Sequence, residues 1–152
     1  MDFCVEWLNH LLNSLDENCD SCLFENCAKL HYQVNGMDNI LEKYVGNLPS
    51  FISFLEKEWG WEITYSEDGQ QLLVDENKDF CVCPIANNIQ GKASGKLCNC
   101  SEKFAEQIFS RVCQKNINAK VKRSVLRDGQ SCIYEISGLY ISGVKKNREL
   151  WR

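Results

Sequence analysis

Histidine and proline each occur only twice in this chain, and no apolar run approaches the ~20 residues that span a bilayer. The two histidines limit any Cys–His dyad to His10 or His31. A glycine-rich phosphate loop, a G-x-S-x-G elbow, an H-E-x-x-H pair and a dinucleotide fingerprint are all missing, which removes the chemistries those motifs carry. There is no excess of positive charge. The net charge is -4, so nucleic acid is not an expected partner, and neither is a membrane. The first residues, Met1-Asp2-Phe3-Cys4-Val5-Glu6, lack the basic region of a secretory signal, and a cytoplasmic protein is expected. Repeats, low-complexity stretches and linkers are also missing. The 152 residues are therefore read as one domain, long enough to bury a core.

Cysteine, by contrast, is abundant. Ten cysteines suggest a secreted disulfide scaffold, but such scaffolds are small chains with too little core. Without an export signal, thiols are expected to be reduced, metal-bound or catalytic. Charge is unevenly spread. Residues 1–112 carry 8 basic and 18 acidic side chains, whereas residues 113–152 carry 9 basic and 3 acidic. The basic end suits an anionic ligand, or simply places Lys and Arg on the wet face of strands.

The spacing of apolar residues predicts helices first. Val5, Leu8, Leu12 and Leu15 recur at helical intervals. A second helix is expected from about Asp20, with Leu23, Cys27, Leu30 and Val34 on its apolar stripe and Asn35-Gly36 as its stop. Met37, Ile40, Leu41 and Tyr44 predict a short third helix. Pro49 suits the first turn of a fourth, which buries Phe51, Ile52, Phe54 and Leu55 and closes at Gly60. From Trp61 the period changes to two. Trp61, Ile63 and Tyr65 predict a strand, Glu67-Asp68-Gly69 a turn, and residues 71–74 its partner. Phe80 to Pro84 reads as a third strand, and residues 86–97 read as a loop. A helix then begins with Asn99 and Glu102 as a capping box, or Ser101 as cap, and buries Phe104, Ala105, Ile108 and Val112. Val121, Ser124 and Leu126 are placed on a strand, Arg127-Asp128-Gly129-Gln130 on a turn, and Cys132 to Tyr140 on the returning strand. The order predicts an α+β fold, with N-terminal helices packed on an antiparallel sheet and one further helix between hairpins.

The chemistry is expected where two Cys-x-Cys pairs approach one another. In a strand, Cys81 and Cys83 face the same way about 6.5–7 Å apart, so gripping one ion needs a bend. Cys98 and Cys100 precede a helix start, whose amides and dipole favour thiolate. Cys81, Cys83, Cys98 and Cys100 are thus candidate metal ligands, for zinc ahead of an iron–sulfur centre. Cys98 and Cys100 are also the candidate nucleophiles. Burial of small apolar residues that happen to be cysteine is the third reading. In the N-terminal part, Cys19, Cys22, Cys27 and His31 have ligand-like spacing, but Cys27 also belongs to a core stripe. His31 is expected to project into a pocket, and Cys132 to point toward the same interior as the central four. Cys4 and Cys113 read as core fillers. Asp75, Glu76 and Asp79 read as a solvated turn.

The runs Cys81-Val-Cys-Pro-Ile, Leu97-Cys-Asn-Cys-Ser, the helix Phe104–Phe109 and Arg123-Ser-Val-Leu-Arg-Asp-Gly-Gln-Ser-Cys132-Ile-Tyr-Glu-Ile resemble the bacterial L-2-amino-thiazoline-4-carboxylic acid hydrolase-like family. The resemblance spans roughly residues 15–136, and its specific part is 80–136. The Gly129-x-x-Cys132 ending is also similar to vinyl-reductase-like ligand-sensing domains. Those are α+β domains that hold a small ligand between helices and sheet, some with cysteine-bound zinc. Val121 and Ser124 stand where that zinc pattern has an acid and a cysteine. The resemblance implies that Cys27, Cys81, Cys83, Cys98, Cys100 and Cys132 match family positions. The expected function is a cytoplasmic, cysteine-rich small-molecule-binding protein with a metal-thiolate site. The alternative is a hydrolase of a small thiazoline- or amino-acid-like substrate, using metal-activated water or a thiolate. Cys27, His31, Arg123 and Cys132 are the expected substrate contacts, with Arg123 on a substrate carboxylate. A homodimer is compatible with both.

Overall fold

The computed structural model describes residues 20–83, 86 and 94–139, with backbone alone for 20–22. The expected first helix, the tail from Val144, Cys4, His10, Cys19, Pro84, most of the 86–97 loop and the Cys22 side chain lie outside the described residues. Helices α1 (Asp20–Val34), α2 (Met37–Leu41) and α3 (Leu48–Phe54) come first. A 3₁₀ turn at Glu42–Tyr44 follows α2, and α3 runs into a π turn at Leu55–Trp59. Strands β1 (Glu62–Tyr65) and β2 (Gln71–Asp75) form a hairpin. A 3₁₀ turn (Gly95–Leu97) leads into α4 (Cys98–Cys113), then β3 (Asn118–Arg123), the short α5 (Val125–Asp128) and β4 (Ile133–Ser137). The sheet has the order β1-β2-β4-β3 with every pairing antiparallel. This is the expected α+β architecture. Among the described residues, no helix is long and apolar enough to cross a membrane.

The sheet is one-sided, as its period-two pattern requires. Leu72 and Val74 of β2 lie opposite Ile136 and Tyr134 of β4, and Val121 of β3 lies opposite Tyr134. All five are buried. They pack with Ala105, Ile108, Phe109 and Val112 of α4 and with Met37, Leu41, Phe51 and Leu55 of the earlier helices. On the other face, Lys122 of β3 reaches Glu135 of β4 at 3.4 Å. That part of the basic C-terminal half therefore lines the wet side of a strand. The N-terminal helices end and begin where the residues dictate. Asn47 caps α3 by accepting from the Ser50 amide at 3.2 Å, with Pro49 in the first turn. Gly60 stops the π turn at φ 73°, in the left-handed region that glycine enters freely.

Four expectations are corrected. First, α1 does not bury Leu23, Leu30 and Val34, which are 45%, 61% and 75% exposed. It docks through the neighbouring stripe of Phe24 and Ala28, both buried, which packs with Leu97, Cys100 and Phe104 at the start of α4. Second, residues 81–83 form no strand. The ladder ends where the Glu76 amide bonds Cys132 O, and Asn77, at φ 56°, turns the chain out of the sheet. Third, no side chain caps α4. Leu97 is already helical there, and Ser94 caps the preceding 3₁₀ turn by accepting from the Lys96 amide. Asn99 Oδ1 instead accepts from Arg127 Nη2 at 2.9 Å.

Fourth, Ser124 and Leu126 are not on a strand. Ser124 Oγ accepts from the Arg127 amide at 2.9 Å, and Asp128 accepts from the Ser124 amide at 3.0 Å. This reciprocal cap converts the expected turn into α5, which Gly129 closes. Ser124 is almost wholly buried and also meets Cys98 Sγ at 3.2 Å. Ser124→Ala is expected to lower stability by about 1–2 kcal/mol, as loss of a cap does. An unchanged urea midpoint would show that this cap contributes nothing.

Candidate functional site

A cavity of about 510 Å³ lies between α1, α4, the π turn and the inner face of the sheet. Its walls include Trp59, Trp61, Phe104 and Tyr134 beside polar Asn35, Glu58, Glu76 and Lys78. Trp59 and Trp61 flank Gly60 and meet edge to face at 5.1 Å between ring centroids. His31 of α1 stacks on Phe104 of α4 at 4.3 Å with 21° between the planes. Burial holds the His31 imidazole below its ordinary pKa, which keeps it neutral at neutral pH.

The sheet contributes the polar floor. Leu72, Val74 and Glu76 follow one another at period two, so Glu76 falls on the core side, only 5% exposed. Tyr134 hydrogen-bonds the Glu76 carboxylate and receives a bond from the Ser101 hydroxyl of α4. Burial pushes the Glu76 carboxyl up from 4.5 to about 7, against the opposing pull of the Tyr134 bond and the Lys78 charge. Glu76 Oε2 is buried and has no hydrogen-bond partner among the described residues. Lys78 Nζ donates to Trp59 O at 2.7 Å and lies 3.4 Å from Glu76 O, tying the segment after β2 to the π turn at the cavity rim. Glu76 is therefore not part of a solvated turn, as the acidic cluster suggested. It is a buried carboxyl poised to take or give a proton near neutrality.

The thiols do gather, from four stretches of chain. Cys27, Cys81, Cys83 and Cys100 pack with Phe24, Ala28, Ala86 and Leu97. Cys98 and Cys132 sit in the adjoining main core. Cys100 donates to Cys27 at 3.1 Å between sulfurs. That bond brings Cys27 down to about 7 against the effect of burial, and the same bond, with burial, drives Cys100 far upward. Burial also raises Cys81 and Cys98, and pushes Cys132 to about 12 although the Val125 amide donates to its sulfur. The expectation that the helix start would favour thiolate at Cys98 and Cys100 is thus corrected. The bond to Cys27, then burial, raises Cys100, and burial raises Cys98.

Of the expected site residues, His31 and Cys83 line the cavity. Cys27, Cys81, Cys98, Cys100 and Cys132 are not among its lining residues. Arg123 is turned elsewhere: its Nε donates to Ser131 O at 3.0 Å and its Nη2 lies 3.9 Å from Asp75 Oδ2. Among the described residues, no group of three or more His, Cys, Asp or Glu is placed to hold a metal ion. No protein-family model, curated protein or solved structure matches the chain.

Proposed function

We propose that the protein binds a small molecule in the cavity between α1, α4 and the sheet, and that Glu76 is the polar anchor. The observation that carries this reading is the buried Glu76 oxygen, without a partner among the described residues, in the wall of a cavity that Trp59, Trp61 and Phe104 also line. An orphaned buried acceptor is costly, and a ligand donor offsets that cost. Trp59, Trp61 and Phe104 favour a flat or apolar body, and their π faces favour a cationic head. The ligand class is thus a small amine or amidine with a planar or apolar body, a class that includes aminothiazoline-like molecules. The volume is in the range of ordinary small-molecule sites. Seven described cysteines are free thiols.

A second reading is the hydrolase. It is favoured by Glu76 titrating near 7 in the same cavity that Cys83 lines, since a carboxyl in that range serves as a general base or acid. The Ser101–Tyr134–Glu76 chain would fix its geometry.

Thermal shift separates these ideas from no function at all. Planar amines and amidines, 2-aminothiazoline among them, are expected to raise Tm of the native protein and to lose the effect in Glu76→Gln. Matched carboxylates are expected to give no shift. If no amine shifts Tm, or if Glu76→Gln retains the shift, the anchor is wrong. Turnover of a bound thiazoline, abolished in Glu76→Gln, would favour the hydrolase.

A further inference from the structure

Cys27 and Cys100 stand apart from the other described thiols. Their sulfurs are 3.1 Å apart although the residues are 73 positions apart in sequence. Cys98 and Cys132 are engaged elsewhere, with Ser124 and the Val125 amide. The helices that carry the pair also carry the His31–Phe104 stack, each ring one turn beyond its thiol. Two such matched contacts show that α1 and α4 lie side by side and run in the same direction. A disulfide bond is about 2.05 Å long, so closure needs a sulfur movement of about 1 Å.

We propose that Cys27 and Cys100 form a reversible disulfide that clasps α1 to α4 one turn from the cavity wall, with hydrogen peroxide as oxidant. Cys27 is half-buried and Cys100 almost wholly buried, so Cys27 meets the oxidant first. Its sulfur attacks the peroxide oxygen. The O–O bond breaks, one water leaves, and Cys27 becomes a sulfenic acid. The Cys100 sulfur then attacks the Cys27 sulfur and displaces the hydroxyl, which leaves as a second water with the Cys100 proton. The two thiols have together lost two electrons and the peroxide has gained them. A dithiol reductant returns both thiols by exchange. Such bonds in reducing compartments are transient and regulatory.

The test uses the whole chain. Native protein is treated with stoichiometric hydrogen peroxide at neutral pH, free thiols are blocked with N-ethylmaleimide, and peptides are mapped by mass spectrometry without reduction. A peptide pair joining Cys27 to Cys100, erased by dithiothreitol, is the expected result. It should bring a rise in Tm of about 5 °C or more, because a cross-link over so long a loop restricts the unfolded chain. Cys27→Ser and Cys100→Ser should each show neither linkage nor rise. The mapping of native protein needs no variant to fold. Linkage of either cysteine to a different partner, or Cys27 driven to sulfinic acid with Cys100 still free, would overturn the proposal. Neither outcome bears on whether amines bind beside Glu76.

Discussion

Replacing Phe109 by alanine is expected to lower the unfolding free energy by about 3–5 kcal/mol. Phe109 is fully buried on α4 and meets Phe51 of α3 edge to face at 5.4 Å between centroids. Around it lie Leu55, Ile108, Val112 and Ile136, all closed to solvent, so it joins the helical layer to the inner face of the sheet. Truncation removes the transfer energy of the ring and leaves a void that packed neighbours fill only in part. Against a typical total of about 5–15 kcal/mol, that loss is a third or more of the stability of a marginal domain. Urea titration followed by tryptophan fluorescence measures it. A loss under about 1 kcal/mol would mean that α4 is not seated on the sheet at this residue.

The second large effect is on pH dependence. Glu76 titrates near 4.5 in the unfolded chain and near 7 in the fold, chiefly because burial disfavours its charge. The folded state therefore holds the proton more tightly. Below about pH 4.5 both states are protonated and the full contribution is present. As pH rises toward 7 the unfolded chain ionises first, and stability falls. Above 7 both states are ionised and the loss is complete. The shift corresponds to about 3 kcal/mol, as an order of magnitude. Glu76→Gln keeps the shape and removes the charge. Native and variant protein should have similar stability at pH 4.5, and the variant should be more stable at pH 8 by up to about that amount. Equal stability of the two at pH 8 would show that the carboxylate is solvated after all. The same titration should make amine binding rise through pH 7, as the anchor gains its charge.

Much of this was legible in the residues. Pro49, Phe51 and Gly60 gave the first turn, the buried side and the end of the helical stretch that begins with α3, and the Ile63/Tyr65 and Leu72/Val74 alternations gave the first hairpin. The signal for Glu76 was also present. Extending the alternation of Leu72 and Val74 by two residues reaches it, but neighbouring Asp75 and Asp79 made the segment look wet. Trp59-Gly60-Trp61 was a second sign, since two tryptophans around a left-handed glycine are brought to one edge. The buried side of α1 was not legible. Leu23, Leu30 and Val34 fit a helical period as well as Phe24 and Ala28 do, and only the surface offered by α4 decides between them. The start of α4 failed for a related reason. Asn99 has the chemistry of a cap, but Arg127, from a distant turn, takes its oxygen.

Local rules by themselves determined the α+β class, the helices α1 to α3 and the first hairpin, and that thiols from separate stretches belong to one region. Period, capping and turn chemistry act over a few residues, and the chain order carries them. The tertiary structure alone decided which sulfur meets which, that Cys27 rather than Cys98 or Cys100 is the acidic thiol, and that a glutamate oxygen without a partner among the described residues faces the cavity. Those outcomes depend on desolvation and on contacts between residues far apart in sequence. Both are fixed only when α1 and α4 pack together over the sheet.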